Sequence, residues 1–244
     1  MGTATYTRTQ RRKGRRSRSY KASSKTVTRI KRAIKKKEQR VPRGVTSAFP
    51  KNRLVRHKYI ENVTLPAAGA AGFARGYYFV ANSMFDPNSS GVGHQPMYRD
   101  EMAAMYKYYT VIASFIKVTF NQAATDQQNV GVILTQDGGL SNDPTTILEE
   151  YGYSTPVLPA NSNKPIYRRS SFNAKKVFNT DLAGLLADDT QRVDKGSNPG
   201  SKSLYYYAIW TGPTNSTVTL PTQVVQVELI YVTMWQDPVD AVQS

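Results

Sequence analysis

Excess positive charge is confined to the first 43 residues of the chain. That segment holds ten Arg and seven Lys against one acid, Glu38, so it carries +16, which is also the formal net charge of the whole chain. From Gly44 to Ser244, sixteen basic residues balance sixteen acidic residues. Like charges at this density repel one another, and the segment has few large aliphatic side chains to bury. We therefore expect a basic arm over residues 1–43 and one neutral domain over residues 44–244.

Disorder is the default expectation for the isolated arm. A short helix is the alternative, because Val27, Ile30 and Ile34 share one helical face. A flexible cationic segment neutralises phosphates without reading bases, and Arg adds forked contacts that Lys lacks. The alternative role is a solubilising or targeting tail. We predict contacts to nucleic acid from all seventeen cations: Arg8, Arg11, Arg12, Lys13, Arg15, Arg16, Arg18, Lys21, Lys25, Arg29, Lys31, Arg32, Lys35, Lys36, Lys37, Arg40 and Arg43.

The body shows the two-residue period of β-strands. Residues 223–235 place Val225, Val227, Leu229, Tyr231, Thr233 and Trp235 on one face and Gln226 and Glu228 on the other. Residues 110–120 place Ile112, Ile116, Val118 and Phe120 opposite Lys117. Further strands are predicted at 53–65, 73–82, 129–136, 165–178 (one strand or two) and 204–210. Seven or eight strands with long Gly- and Pro-rich loops predict an all-β fold: a single eight-stranded antiparallel jelly-roll sandwich.

Two segments between the strands are predicted to be helical. Residues 96–109 carry Pro96 in a first turn and a stripe of Tyr98, Met102, Met105 and Tyr109. Residues 143–151 offer Asp143 as the N-cap, with Pro144 after it and Gly152 as a stop. Both are short enough to lie within loops of a sandwich.

The sequence offers few groups for catalysis. It has no Cys, and His57 and His94 are its two histidines, so a zinc site of Cys and His is excluded. No phosphate-binding loop or complete dinucleotide motif occurs. His57 alternates with Val55 and Tyr59 in a predicted strand, which favours a packed or hydrogen-bonded structural role, and a structural role is favoured for His94 too. We expect no catalytic residues, no metal and no cofactor.

No apolar run approaches the roughly 20 residues of a membrane helix, and basic residues occupy the place of a secretory h-region. We therefore expect a soluble, non-secreted protein without membrane insertion. The lack of Cys suits a reducing compartment.

Three parts of the sequence resemble capsid proteins of circular, Rep-encoding single-stranded DNA viruses, the circovirus-like group. They are FPKNRLVRHKYIENVTL (49–65) after the arm, GHQPMYRDEMAAMYKYYTVIASFIKVTF (93–120), and NPGSKSLYYYAIWTG (198–212) with the closing QVELIYVTMW (226–235). The order matches over most of the chain, whereas the arm mixes Lys with Arg where circovirus arms are often richer in Arg.

The resemblance implies a jelly roll, sixty copies in a T=1 shell, and an arm that binds the genome inside the shell. It implies single-stranded DNA as the packaged nucleic acid, and a location in the virion and, during infection, in the host nucleus. Two basic clusters resemble nuclear localisation signals read by host importin. Their cations are Arg11, Arg12, Lys13, Arg15, Arg16, Lys31, Arg32, Lys35, Lys36 and Lys37.

Three alternatives remain at the level of sequence. They are a capsid protein of a small RNA virus, a ribosomal or chromatin-type nucleic-acid-binding protein, and an enzyme with an incidental tail. Ribosomal and chromatin proteins usually carry basic patches on the body, whereas residues 44–244 are neutral overall. The neutral body favours a shell protein.

Overall fold

The computed structural model describes residues 49–121, 126–136, 138–151, 157–161 and 164–240. The predicted arm and its boundary with the body lie outside these residues. The strands are β1 (Asn52–Leu65), β2 (Arg75–Val80), β3 (Tyr106–Phe120), β4 (Gln128–Thr135), β5 (Val157–Leu158), β6 (Ile166–Asn173), β7 (Val193–Asp194), β8 (Tyr206–Pro213) and β9 (Gln223–Pro238). The helices are α1 (Arg99–Met105), α2 (Pro144–Tyr151), α3 (Ala174–Val177) and α4 (Leu182–Ala187), with a 3₁₀ turn at Ser201–Ser203.

The described strands form two antiparallel sheets. The first sheet has the order β1-β9-β3-β6, with the short β7 also paired to β3, and the second has the order β2-β8-β4-β5. The chain passes from one sheet to the other at almost every connection, and its last long strand lies beside its first. This strand order is that of an eight-stranded jelly roll with β7 added. The predicted fold class of the body is confirmed.

The main core lies between the two sheets. Alternation along β9 buries Val225, Val227, Leu229, Tyr231, Thr233 and Trp235, as predicted. The predicted face of β3 is wrong at Ile112, which is only partly buried. The pairing of β3 with β9 shifts register between Val111 and Ala113, and such a bulge changes which side chains point inward. Beyond it, Ser114, Ile116, Val118 and Phe120 are buried.

The helices depart from prediction in three places. The first helix ends at Met105, and Tyr106–Tyr109 open β3 instead. It begins at Arg99 after Tyr98, whose φ of 63° is left-handed, so Pro96 precedes the helix rather than forming its first turn. The second half of 165–178 is α3, not a second strand, and α4 was not predicted.

The N-cap of α2 is confirmed. The Asp143 carboxylate accepts hydrogen bonds from the amides of Thr145 (3.1 Å) and Thr146 (3.2 Å), two donors that the helix start leaves without backbone partners. These hydrogen bonds, with the Thr146 hydroxyl first, lower the pKa of Asp143. Gly152, the predicted stop, lies outside the described residues.

A buried arginine ties the two sheets together. The guanidinium of Arg75 on β2 donates to Oγ1 of Thr211 on β8 (2.7 Å) and to Oε1 of Gln223 on β9 (3.0 Å). It also donates to the carbonyls of Pro66 (2.9 Å) and Pro221. Burial lowers the pKa of Arg75 to about 10, so the group is still charged at neutral pH.

The two sheets differ in what covers their outer faces. On the second sheet, Ile133 and Trp210 are buried against Ile147 of α2, with Leu140 and Leu148 packed around them. On the first sheet, several large outward side chains remain exposed, including Ile60, Phe115 and Tyr167. We call the outward-facing residues of β1, β9, β3 and β6 the open face.

Candidate functional site

The seventeen predicted nucleic-acid contacts, which include the ten predicted localisation residues, all lie outside the described residues. The arm therefore remains a prediction. Within the described residues, no group of three or more His, Cys, Asp or Glu is placed to hold a metal ion. None of the helices in this part of the chain is long and apolar enough to cross a membrane.

His57 is a buried structural residue, as predicted. Its Nδ1 donates to the carbonyl of Met97 (3.0 Å), and its Nε2 accepts from the indole N–H of Trp235 (3.1 Å). This pair of contacts requires the neutral ring with the proton on Nδ1. Burial, the largest effect, lowers the pKa of His57, and the nearby Arg99 acts in the same direction. His57 thus fixes the loop at Met97 to the first sheet.

The loop between β2 and α1, residues 81–98, is held by a second buried network. Asn88 is fully buried and donates from Nδ2 to the carboxylate of Glu61 (3.0 Å). The hydroxyl of Tyr59 donates to the same carboxylate, and that of Tyr77 donates to Oδ1 of Asn88 (3.0 Å). The exposed ring of His94 stacks on Tyr59 at 4.4 Å, which agrees with the structural role expected for it. These contacts make the base of the loop rigid.

The surface of this loop is apolar although its base is polar. Val92 is 81% exposed, Met97 66% and Tyr98 64%. The backbone around them is fixed, because the amide of Met97 donates to the carbonyl of Lys58 and its carbonyl accepts from His57. Apolar side chains held in water on a rigid support are typical of surfaces that another protein covers. We call these three residues the apolar loop surface.

The open face of the first sheet joins cations with aromatic rings. Its charged members are Arg56, Lys58, Lys117, Arg169 and Glu228, which leaves an excess of three positive charges on a body that is neutral overall. Its aromatic members are Phe115, 48% exposed, and Tyr167, 53% exposed. A shallow depression of about 380 Å³ runs between Phe115, Lys117, Arg169 and Ile230.

Pairing across the strands sets the electrostatics of the open face. Glu228 binds Lys58 at 2.9 Å, and this hydrogen bond is the main cause that lowers the pKa of Glu228. Lys117 lies directly opposite Arg169. Adjacent strands are about 4.8 Å apart, and like charges directly opposite one another destabilise a sheet. The Lys117 ammonium also lies 5.0 Å from the ring centroid of Tyr167.

Sequence reasoning found the members of this face but not the face itself. Lys117 and Glu228 were predicted to point away from the core, and they do. Their union with Lys58 and Arg169 depends on β1, β9, β3 and β6 being neighbours. Strands so far apart in the sequence carry no local signal of which strand they pair with.

Comparisons with known proteins support the fold. No protein-family model and no curated protein matches the chain. Among solved structures, the chain resembles the empty head of Turnip yellow mosaic virus (13% identity, TM-score 0.40, 80% of this chain and 87% of that one). It also resembles a 60-mer BFDV capsid protein (12%, 0.42, 80% and 100%) and Mud crab tombus-like virus (11%, 0.42, 86% and 100%). At these TM-scores the likeness is one of fold and carries no separate argument about function.

Proposed function

We propose that the chain is the coat protein of a small icosahedral virus. Its copies assemble into a closed shell, and residues 1–43 bind the packaged single-stranded nucleic acid. The observation that carries the proposal is the partition of charge: +16 on 43 residues, joined to a jelly-roll body with equal numbers of basic and acidic residues. A shell protein needs both parts, because its body must meet copies of itself while its arm meets a polyanion.

The arm acts through electrostatics. Its Lys and Arg side chains neutralise phosphates and release condensed counterions, so binding tolerates many sequences and weakens steeply with salt. In a T=1 shell of sixty copies, the arms bring about 960 positive charges together. Only a polyanion of comparable charge relieves that repulsion. Assembly and packaging are therefore coupled.

The body supplies the contacts between copies. With no net charge, it approaches other bodies without long-range repulsion. Two rigid sheets hold long loops at their edges, where symmetric neighbours meet in a closed assembly. The apolar loop surface (Val92, Met97 and Tyr98) is the part of the described loops best suited to such a contact.

Two finer features of the proposal come from the sequence. The resemblance to circovirus-like capsid proteins favours single-stranded DNA over RNA as the packaged genome. The clusters at residues 11–16 and 31–40 act as nuclear localisation signals before the arm is covered by nucleic acid. A fluorescent protein fused to residues 1–43 should enter the nucleus, and a fusion that stays in the cytoplasm would contradict this role.

Size-exclusion chromatography and electron microscopy of the purified chain test the central proposal. We expect closed particles that contain nuclease-protected nucleic acid. Digestion of the extracted material with DNase or with RNase identifies it. Particles without any polyanion at physiological salt would contradict the coupling of assembly to packaging, and a chain that stays monomeric with nucleic acid present would contradict the function.

A chain that begins at Gly44 is the matched control for the arm. It should lose most of its affinity for nucleic acid, and it should form empty particles or none. The full chain should show a linear fall of log affinity with log salt. Proteases should leave the arm intact on closed particles, because the proposal places it inside.

A further inference from the structure

The open face of the first sheet presents a charge pattern that the fold alone does not explain. Lys117 and Arg169 lie directly opposite each other on β3 and β6, an arrangement that costs stability. Arg56 and Lys58 extend the same face onto β1, and Glu228 is its one carboxylate among the described residues. A partner that offsets this cost must be an anion or carry several of them.

The aromatic side chains of this face narrow the chemistry of that partner. Phe115 and Tyr167 sit beside the two opposed cations and are about half exposed. An exposed ring loses free energy to water unless another flat or apolar group covers it. Rings interleaved with Lys and Arg are the pattern by which single strands are bound, because bases stack on the rings while phosphates meet the cations. A duplex keeps its bases stacked inside and leaves such rings uncovered.

A second copy of the chain is a poor occupant. In a two-fold contact through this face, each side presents the same patch, so the excess cations of one copy would meet those of the other. An acidic peptide would match the charge but supplies no flat group for Phe115 and Tyr167. A single-stranded polynucleotide matches both features.

We propose that the open face is a second contact for single-stranded nucleic acid, made by the folded body and separate from the arm. Phe115 and Tyr167 stack on unpaired bases, and Lys58, Lys117 and Arg169 bind the adjacent phosphates. This inference rests on the proposed function for one consequence: the first sheet faces the lumen of the shell, and the α2-covered second sheet faces away from it.

Photo-crosslinking of the full chain tests the contact directly. The probes are two 20-nucleotide single strands, one of DNA with 5-bromodeoxyuridine and one of RNA with 5-bromouridine. After digestion, mass spectrometry should find crosslinked peptides that contain Phe115 or Tyr167, in addition to peptides from residues 1–43. The strand that gives the stronger crosslinks to these two residues is the preferred nucleic acid.

The outcomes separate this inference from the proposed function. Crosslinks confined to residues 1–43 would overturn the second contact and leave the arm's role in place. Crosslinks to neither part would overturn both. Strong crosslinks on the body at residues far from the open face would also overturn the inference.

Two double variants of the full chain measure the contribution of the face. Phe115→Ala with Tyr167→Ala should lower affinity about tenfold, since each stacked base is lost. Lys117→Gln with Arg169→Gln should reduce the slope of log affinity against log salt by about two, one for each lost phosphate contact. Unchanged affinity and slope in variants that melt like the parent would overturn the proposal.

Matched controls remove the same groups elsewhere on the body. Lys51→Gln with Lys107→Gln deletes two cations whose ammonium groups already pair with Asp237 and Asp240, so the slope should change by less than one. Phe73→Ala deletes an exposed ring next to the second sheet and should leave affinity unchanged. Equal losses in test and control variants would show a nonspecific effect and overturn the inference.

Discussion

The indole N–H of Trp235 donates to Nε2 of His57 over 3.1 Å, deep in the first sheet. Because Nε2 must accept, the ring cannot carry its second proton without placing two N–H groups against each other. On its other side, Nδ1 holds the carbonyl of Met97. The protonation state of one buried ring therefore governs how the apolar loop surface is attached.

We predict that mild acid loosens this attachment. Burial lowers the pKa of His57 in the fold, so between the folded value and the unfolded value of about 6.5 the unfolded chain binds more protons. The stability that His57 contributes is complete above pH 6.5 and is lost as the pH falls below it. The free energy of unfolding should fall by up to about 1.4 kcal/mol per pH unit from pH 6.5 to 5.5.

Chemical denaturation at these pH values measures the loss. His57→Phe should flatten the dependence on pH, and it should be less stable at pH 7.5 because the Trp235 N–H and the Met97 carbonyl lose their partner. His94→Gln should keep the pH dependence, since His94 is exposed. A slope that persists in His57→Phe would assign the effect to another group.

Arg75 predicts a large loss of stability on substitution. Arg75→Met keeps most of the apolar stem but leaves the carbonyls of Pro66 and Pro221 and the side chain of Gln223 without their donor. Each buried group left unpaired costs about 1 kcal/mol or more, so we expect a loss of about 3 kcal/mol in urea denaturation. Arg53→Met removes an exposed arginine and should cost less than about 0.5 kcal/mol. Similar losses in both variants would mean that the buried hydrogen bonds do not matter.

Gly131 leaves space for a tryptophan. A Cβ at this position would lie 2.3 Å from Nε1 of Trp210, which lies opposite it on β8. Gly131→Ala should therefore displace the packed ring and cost about 1–3 kcal/mol, as overpacking does. Gly139→Ala adds its methyl to open space and should leave the unfolding midpoint almost unchanged. A neutral Gly131→Ala would show that Trp210 moves freely beneath α2.

The long strands were predictable from sequence because burial on one side writes a two-residue period into the chain. The period of β9 survives from Val225 to Trp235 since nothing interrupts its pairing. In β3 the bulge after Val111 breaks the period, and no residue there announces it. Tyr106–Tyr109 fitted a helical stripe locally, but pairing with β9 and β7 draws them into a strand.

The surfaces were harder to predict than the core. The arm stands out because its charge is contiguous in sequence, whereas the open face collects single residues from four strands. The apolar loop surface was hidden for another reason. Val92, Met97 and Tyr98 have no periodicity, and only the anchors at His57 and Asn88 show that the loop is held with these side chains outward.

The last prediction concerns the contact between copies. Met97→Asp places a carboxylate on the apolar loop surface without touching the hydrogen bonds of the Met97 backbone. The variant should melt at the temperature of the parent, because the side chain is largely exposed in the single chain. If copies bury this surface in the shell, an unpaired charge there is costly, and the yield of closed particles should fall at least tenfold.

Met97→Leu is the matched control, since it keeps an apolar side chain of similar size and should assemble like the parent. Electron microscopy and size-exclusion chromatography at equal protein concentration count the particles. Binding of the unassembled Met97→Asp chain to nucleic acid should be unchanged, because its arm and open face are intact. Full assembly of Met97→Asp would place the contacts between copies on other loops, while loss of assembly in both variants would point to a defect in packing around Met97 rather than to a charged interface.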